Sequence, residues 1–239
     1  MAHVGRARVR LNLGDFAGAL ADAQMVPDGF MAVATRDGSQ ATRYNYQFER
    51  INDPSPDFNN HGSITPSFRD LTVDGAGEHT QADGTPDPRV NVTTLDRLSA
   101  DFATIHYFHD KANSRSDPVT VASYKEAQLF IAEASAQLND LTTAIDVIND
   151  LHTAAGLPTW GGSADQATVL AHVQDERKRE LFVEGGHRLN DMLRFGVPFL
   201  GDPGSDFPNG LDQTGAEFGD VTCFELPLVE SLNNPNVGG

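Results

Sequence analysis

Five charged side chains recur at helical spacing toward the C-terminal end of the sequence. They follow one another in steps of three, four, four and three residues, so one helix would carry them in a single stripe if it continued past Gly185 and Gly186, a glycine pair that predicts a kink or break. The five are Arg177, Glu180, Glu184, Arg188 and Asp191. Such a stripe either attracts a charged ligand or neutralises itself. Because its signs alternate, and because residues 175–194 contain as many acids as bases, we predict a structural ion-pair network.

Metal-ligating residue types are present, but their spacing does not define a site. His106 and His109 are three residues apart, which suits two ligands on one helical face, yet no third ligand is fixed by spacing. Residues 74–87 are acidic and glycine-rich like a calcium loop, but they lack the order of ligands and the terminal glutamate of an EF-hand. We therefore predict no metal site and no cofactor, with calcium left as an open alternative.

The sequence carries no recognisable catalytic motif. It has no G-x-S-x-G nucleophile turn, no P-loop and no G-x-G-x-x-G. Its 34 acidic residues supply many carboxylate pairs of the kind a glycoside hydrolase uses, without marking any one pair. The formal net charge of −17 opposes binding to nucleic acid. The sequence therefore marks no enzyme class, and we predict that the protein does not bind nucleic acid.

A pattern typical of helix, turn and helix occurs twice in the sequence. Leu13, Gly14 and Asp15 in the first copy correspond to Leu138, Asn139 and Asp140 in the second. Glycine and asparagine readily adopt the left-handed conformation that ends a helix, and the following aspartate can cap the next one. Each copy is therefore predicted to be a helical hairpin of the tetratricopeptide type.

The segment between the hairpins has a different composition, rich in Pro, Gly, Asp and Asn, which prevents long helices. We predict a mainly α single domain with tetratricopeptide-like hairpins, a long loop-rich excursion and a few short strands. Its parts are a hairpin at 1–26, the excursion at 27–118, a hairpin and charged helix at 119–196, and an acidic loop-rich segment at 197–239.

The charged region resembles the C-terminal part of the SusD/RagB family. The pattern E-R-x-R-E-L-x-x-E-G-x-R-x-x-D-x-x-R-x-G is carried here by Glu176, Arg177, Arg179, Glu180, Leu181, Glu184, Gly185, Arg188, Asp191, Arg194 and Gly196, with an extra glycine at Gly186. Residues 132–158, 87–90 and 226–237 resemble the family's helical hairpin, its D-P-R-V segment and its closing proline and N-P-N segment. These pieces occur in the family's order along nearly the whole chain.

The resemblance implies a non-catalytic, surface-exposed outer-membrane lipoprotein that binds glycans or other nutrients. It also implies a partner, a SusC-like TonB-dependent transporter. The sequence begins without a signal peptide or a lipid-acceptor cysteine, so we expect that this chain lacks the beginning of a larger protein. The alternative function is that of an intracellular helical adaptor whose hairpin grooves bind a peptide; a glycoside hydrolase is the least supported class.

Sugar binding uses aromatic faces against sugar C–H groups, with amides and carboxylates on the hydroxyls. Tyr44, Tyr46 and Phe48 alternate with polar residues and are predicted to share one face of a strand in the excursion. The candidate ligand-binding set is Tyr44, Asn45, Tyr46, Phe48, Asn59, Asn60 and Trp160. The alternative is that these aromatic rings pack the excursion onto the helices.

Overall fold

A computed structural model describes residues 1–53, 61–162 and 165–220. Its α-helices are α1 (Ala2–Asn12), α2 (Phe16–Ala23), α3 (Tyr124–Gln137), α4 (Leu141–Ala154), α5 (Gln166–Glu180) and α6 (His187–Phe195). Its strands are β1 (Met31–Ala34), β2 (Leu71–Val73), β3 (His79–Gln81), β4 (Thr85–Pro86), β5 (Val92–Leu98), β6 (Ile105–His109) and β7 (Val119–Ser123). The prediction of a mainly α fold with few short strands is confirmed.

Both predicted hairpins consist of helix, tight turn and helix. Gly14 and Asn139 have φ angles of 76° and 65°, the left-handed conformation that ends α1 and α3. The side chains of Asp15 and Asp140 then accept hydrogen bonds from the backbone N–H groups of Gly18 and Thr143, at 3.0 and 3.2 Å. The same local chemistry therefore builds both turns.

Helix α3 lies at the centre of the main hydrophobic core. It packs against α1, α2, α4 and α5, and its alanines let the neighbouring helices approach closely. Phe130 and Leu129 of α3 are fully buried, as are Val4 of α1 and Ile148 of α4. Burial of each large apolar side chain contributes about 1.5–3 kcal/mol to folding. The two hairpins therefore form one core, although the excursion separates them in sequence.

The excursion is held by three small antiparallel sheets. Strands β1 and β7 pair at its two ends, with Met31 opposite Ser123. The other two sheets have the orders β3-β2-β4 and β5-β6. A second apolar cluster forms around Ile64, Leu71, Val90 and Phe182. Because Phe182 directly follows the end of α5, this cluster joins the excursion to the helical layer.

One local prediction is wrong. Residues 44–48 do not form a strand, because a 3₁₀ turn at Ala41–Arg43 and a π-helical turn at Phe48–Asn52 occupy this part of the excursion. Helix α5 is capped by Asp165, whose side chain accepts from the Thr168 N–H at 3.0 Å. The charged stripe does not lie on one helix, since α5 ends at Glu180 and α6 begins after Gly186.

The break between α5 and α6 has a conformational cause. Gly185 and Gly186 have φ angles of 50° and 75°, and glycine adopts this left-handed region without the steric cost of a Cβ atom. The pair of glycines therefore turns the chain. In the part of the chain that the structure describes, no helix has both the length and the apolar character needed to cross a lipid bilayer.

Candidate functional site

The predicted ligand-binding residues do not form one aromatic face. Tyr44 is half-buried, with the Arg115 guanidinium 5.0 Å from its ring centroid. Tyr46 is 49% exposed, and its hydroxyl donates to the Ala41 carbonyl oxygen at 3.1 Å. Phe48 is half-buried at the start of the π-helical turn. Tyr46 thus offers a ring to solvent, whereas its two neighbours pack against the excursion.

The polar and indole members of the set have structural partners. Asn45 is buried, its amide donates to the Asp117 carbonyl oxygen at 3.0 Å, and its side-chain oxygen accepts from the Gln47 N–H at 3.0 Å. Trp160 is 3% exposed, and its indole N–H donates to Glu78 at 2.8 Å. Neither side chain is therefore available to orient a sugar. Asn59 and Asn60 lie outside the described residues.

A cleft with ligand-binding chemistry lies elsewhere, between the excursion and the segment that follows α6. Its volume is about 510 Å³, within the range of small-molecule sites. Hydroxyl, amide and charged side chains line it together with two aromatic rings. The lining includes Ser63, Arg69, Asp101, Thr104, Phe207, Gln213 and Phe218.

The aromatic wall of the cleft belongs to the segment after α6. The rings of Phe207 and Phe218 lie 5.4 Å apart between centroids, at an interplanar angle of 38°. The backbone N–H of Phe218 donates to the Gly210 carbonyl oxygen at 3.0 Å, which closes the loop that carries both rings. Both rings are half-buried, so each is anchored while retaining exposed apolar surface toward the cleft.

The polar wall belongs to the excursion. Arg69 donates to the Ile64 carbonyl oxygen at 2.9 Å through Nε, and its guanidinium stacks 3.6 Å from the Tyr107 ring centroid. Desolvation opposes ionisation of Asp101, but hydrogen bonds from the Thr104 hydroxyl and backbone N–H outweigh it and lower the pKa of Asp101. The cleft thus combines a fixed carboxylate and a fixed guanidinium with neutral hydroxyl groups.

Gln213 is the most adaptable polar group of this cleft. It is exposed, and its amide has no hydrogen-bond partner among the residues that the structure describes. A side-chain amide offers both donors and an acceptor, which matches the mixed hydrogen bonding of a sugar hydroxyl. Sequence reasoning missed this cleft because its two walls are more than 100 positions apart in the chain. The only sequence signal was the pair of aromatic residues in the Pro/Gly-rich C-terminal segment.

The charged residues of the family pattern form ion pairs across elements rather than along one stripe. Arg177 binds Asp191 through Nε at 3.0 Å and Nη2 at 2.8 Å. Glu180 accepts from Lys125 at 2.7 Å, and Glu184 lies 3.4 Å from Lys111. Arg188 differs from the predicted network: it makes no ion pair with any described residue, and its guanidinium lies 5.8 Å from the Phe68 ring centroid.

A buried arginine links the D-P-R-V segment to α5. Arg89 donates to Asp87 through Nε at 2.9 Å and also binds the carboxylate of Glu176. Burial raises the pKa of Glu176, but the positive charge of Arg89 outweighs it, so this pKa lies well below its ordinary value. Asp87, at the end of the acidic loop considered for calcium, is thus already neutralised by an arginine, which opposes cation binding there.

The histidine pair considered for zinc is not on a helix. His106 and His109 belong to strand β6; the His106 Nε2 lies 2.7 Å from the Ile51 carbonyl oxygen, and the His109 Nδ1 accepts from the Lys111 N–H at 3.2 Å. A different group offers metal-ligating atoms among the described residues, all within 4.8 Å of one another. It consists of His79, His152, His172 and Glu176, called the histidine cluster below.

The histidine cluster was not apparent from the sequence. His172 and Glu176 are one turn apart on α5, which the sequence shows, but His79 comes from β3 and His152 from α4. Burial, reinforced by the positive charge on His79, lowers the pKa of His172 to about 3, so its imidazole is neutral at pH 7. The cluster borders a second cavity of about 480 Å³, which Trp160 and Lys178 also line.

Comparison with known proteins gives consistent results. Residues 110–221 match the SusD family. A SusD superfamily protein from Parabacteroides distasonis superposes with a TM-score of 0.59 at 19% identity, over 98% of this chain and 60% of that one. A SusD-like carbohydrate binding protein from Bacteroides vulgatus gives 0.57 at 23% identity, over 79% of this chain and 43% of that one.

A further SusD superfamily protein from Bacteroides vulgatus gives a TM-score of 0.54 at 16% identity, over 82% of this chain and 51% of that one. The chain thus spans roughly half the length of these structures. No curated protein sequence matches it significantly. At these identities the superpositions show a shared fold, while residues 110–221 carry the family's sequence pattern. The sequence match therefore covers residues 110–221, and the superpositions show that the chain has a SusD-like fold.

Proposed function

We propose that this protein binds carbohydrate in the cleft between the excursion and the segment after α6, without catalysing a reaction. The observation that carries the proposal is the pairing of the Phe207 and Phe218 rings with hydroxyl and amide groups across a cavity of about 510 Å³. Aromatic faces supply apolar contact to sugar rings, and the polar wall supplies orientation. The carbohydrate-binding description of a structural relative supports the same ligand class.

The family resemblance extends the proposal to delivery. The bound nutrient would pass to a SusC-like TonB-dependent transporter, with the protein at the outer-membrane surface. Co-purification from membranes of the source bacterium tests this step: a SusC-like β-barrel should be recovered with the tagged protein. Recovery of soluble intracellular partners without a barrel would favour the adaptor function instead.

Isothermal titration with a panel of neutral and acidic oligosaccharides tests the ligand class. Phe207→Ala removes a ring of the cleft, and we expect it to raise the Kd of the best ligand roughly tenfold, about 1.4 kcal/mol. Gln213→Ala should raise the Kd several-fold. Gln24→Ala is the matched control, because Gln24 is an exposed glutamine on the helical hairpin, outside the cleft.

Tyr46→Ala tests the remaining exposed aromatic of the sequence-predicted set. If carbohydrate binds in the cleft, this variant should bind like the wild type. Loss of binding in Tyr46→Ala with unchanged binding in Phe207→Ala would move the site to the Tyr46 surface and contradict the cleft. A folded wild-type protein that binds no carbohydrate of the panel would contradict the ligand class itself.

A further inference from the structure

The histidine cluster brings four ligand atoms from three elements to one buried point. The His79 Nε2 lies 2.9 Å from Glu176 Oε2, the His152 Nε2 lies 3.2 Å from the same oxygen, and the two Nε2 atoms are 3.3 Å apart. The side chains of His79 and His172 are 6% and 5% exposed, and those of His152 and Glu176 are fully buried. A ring nitrogen of His172 completes the set within 4.8 Å.

The distances between these atoms are similar to the distances between the ligand atoms around one metal ion. A tetrahedral zinc ion with bonds of about 2.0–2.1 Å to nitrogen and oxygen separates its ligand atoms by about 3.3–3.4 Å. Two of the three distances measured between His79, His152 and Glu176 fall within 0.2 Å of that edge, and the third is shorter. The His172 ring stacks on the His79 ring with centroids 4.1 Å apart and an interplanar angle of 15°, so it must rotate out of this stack to supply the fourth ligand.

Outer hydrogen bonds orient the imidazole of His152 for a metal. Its Nδ1 lies 2.7 Å from the Pro158 carbonyl oxygen, which can only accept, so Nδ1 carries the proton. In the neutral ring the Nε2 lone pair then points into the cluster, toward a carboxylate oxygen of Glu176 and the Nε2 of His79. A lone pair facing a carboxylate is repulsive unless a proton or a metal ion lies between them.

His79 has a charged outer neighbour. Its Nδ1 lies 3.0 Å from Asp175 Oδ2 without hydrogen-bond geometry, while its Nε2 faces the cluster. The negative charge of Asp175 favours a cation at this ring, whether a proton or a bound metal ion. His172 contributes an additional signal: its Nε2 is buried and has no hydrogen-bond partner among the described residues. Its ring is held in place by stacking on Trp160, with centroids 4.1 Å apart.

We propose that His79, His152, His172 and Glu176 bind a Zn²⁺ ion. Three nitrogens and one carboxylate oxygen suit zinc and related transition-metal ions, whereas Ca²⁺ and Mg²⁺ prefer oxygen ligands. Four protein ligands make a closed site of the structural kind. The ion would fasten strand β3 of the excursion to α4 and α5 of the helical core. This inference is independent of carbohydrate binding.

Arg89 carries a positive charge that competes with a metal ion for the carboxylate of Glu176. It binds both carboxylate oxygens of Glu176, and its Nη2 lies 3.3 Å from the same Oε2 atom that faces the histidines. Asp87 shares this guanidinium through bonds of 2.9 and 2.8 Å, so two carboxylates face the one positive charge of Arg89. Without a metal, the same groups would form a network in which a protonated histidine neutralises Glu176. A zinc site and a metal-free ion-pair network can be distinguished by measuring whether the protein binds zinc.

Untagged full-length protein should be stripped with a chelator and titrated with Zn²⁺ by calorimetry. The proposal expects one Zn²⁺ per chain, a Kd below micromolar and a higher Tm, with no effect of Ca²⁺ or Mg²⁺. His79→Gln and His172→Ala should each raise the Kd roughly 100-fold or more, since even outer-shell changes cost 10–100-fold. His109→Gln is the matched control, a buried histidine outside the cluster.

Cobalt substitution keeps the test informative if a variant fails to fold. Co²⁺ added to the stripped wild-type protein should give the intense visible absorption of tetrahedral coordination, and added Zn²⁺ should displace it. Folded wild-type protein that takes up neither ion, or that gives only the weak spectrum of six-coordinate Co²⁺, would overturn the proposal. Unchanged zinc affinity in both cluster variants would overturn it as well.

Discussion

Arg177 and Asp191 form a two-point ion pair across the break between α5 and α6, with Nε 3.0 Å from Oδ2 and Nη2 2.8 Å from Oδ1. Both side chains are buried, and the Arg177 guanidinium also lies over the Phe130 ring at 5.6 Å. The pair therefore fixes the angle at which α6 leaves the helical core. The orientation of α6 in turn sets the position at which the next segment begins. That segment carries the aromatic wall of the cleft.

Asp191→Asn should destabilise the protein by about 3–5 kcal/mol, because it leaves the buried Arg177 charge without its main partner. Urea unfolding measures this change. Arg188→Gln is the control on the same helix, and we expect it to cost less than about 1 kcal/mol, since among the described residues Arg188 makes a ring contact at 5.8 Å and no ion pair. Equal losses in the two variants would show that Arg177 and Asp191 are not a special pair.

Gly77 marks a close approach between the β2–β3 turn and the chain before α5. Its φ is +78°, and an added Cβ would lie 2.4 Å from the Thr159 carbonyl carbon and 2.5 Å from the Trp160 Cα. Gly77→Ala should therefore cost more than about 2 kcal/mol in unfolding free energy, since backbone must move. Gly75→Ala, in the same turn with nothing near its Cβ, should cost little. Similar effects at both positions would contradict the contact.

His187 gives the stability a specific pH dependence. Burial, together with the positive charges of Arg177 and Arg8, lowers the pKa of His187 from 6.5 to about 4. Between these two values the unfolded chain binds the proton more readily than the folded one, so the free energy of unfolding falls as pH falls. The loss from this group at pH 5 is about 2 kcal/mol relative to pH 7.

His187→Gln should remove that part of the dependence. Urea unfolding at pH 7 and pH 5, with a chelator present to exclude metal effects, measures the difference. His109, whose pKa burial also lowers to about 4, is unchanged in the variant and contributes equally to both proteins. A variant as sensitive to acid as the wild type would show that His187 is not the group responsible.

The helical layer could be predicted from the sequence because its signals are local. Gly14 with Asp15 and Asn139 with Asp140 set both hairpin turns, and each aspartate caps the helix that follows it. Gly185 and Gly186 indicated the break after α5, and the structure has it. These features depend on contacts within a few residues, which the order of residue types reveals directly.

The excursion and the sites could not be predicted in the same way. Alternation of Tyr44, Tyr46 and Phe48 indicated a strand, but Asn45 is held by Asp117 and Gln47, which favours consecutive turns instead. The cleft and the histidine cluster each join residues that are far apart in sequence. Their positions follow from how the excursion packs on the helices, and no local pattern encodes that packing.

A crystal structure of the protein with the tightest-binding oligosaccharide of the panel tests the account most directly. We expect the sugar between the Phe207 and Phe218 rings and the polar wall at Ser63, Asp101 and Thr104, with the Gln213 amide on a sugar hydroxyl. A sugar bound on the Tyr46 surface, or in the cavity beside the histidine cluster, with this cleft empty, would contradict the central claim.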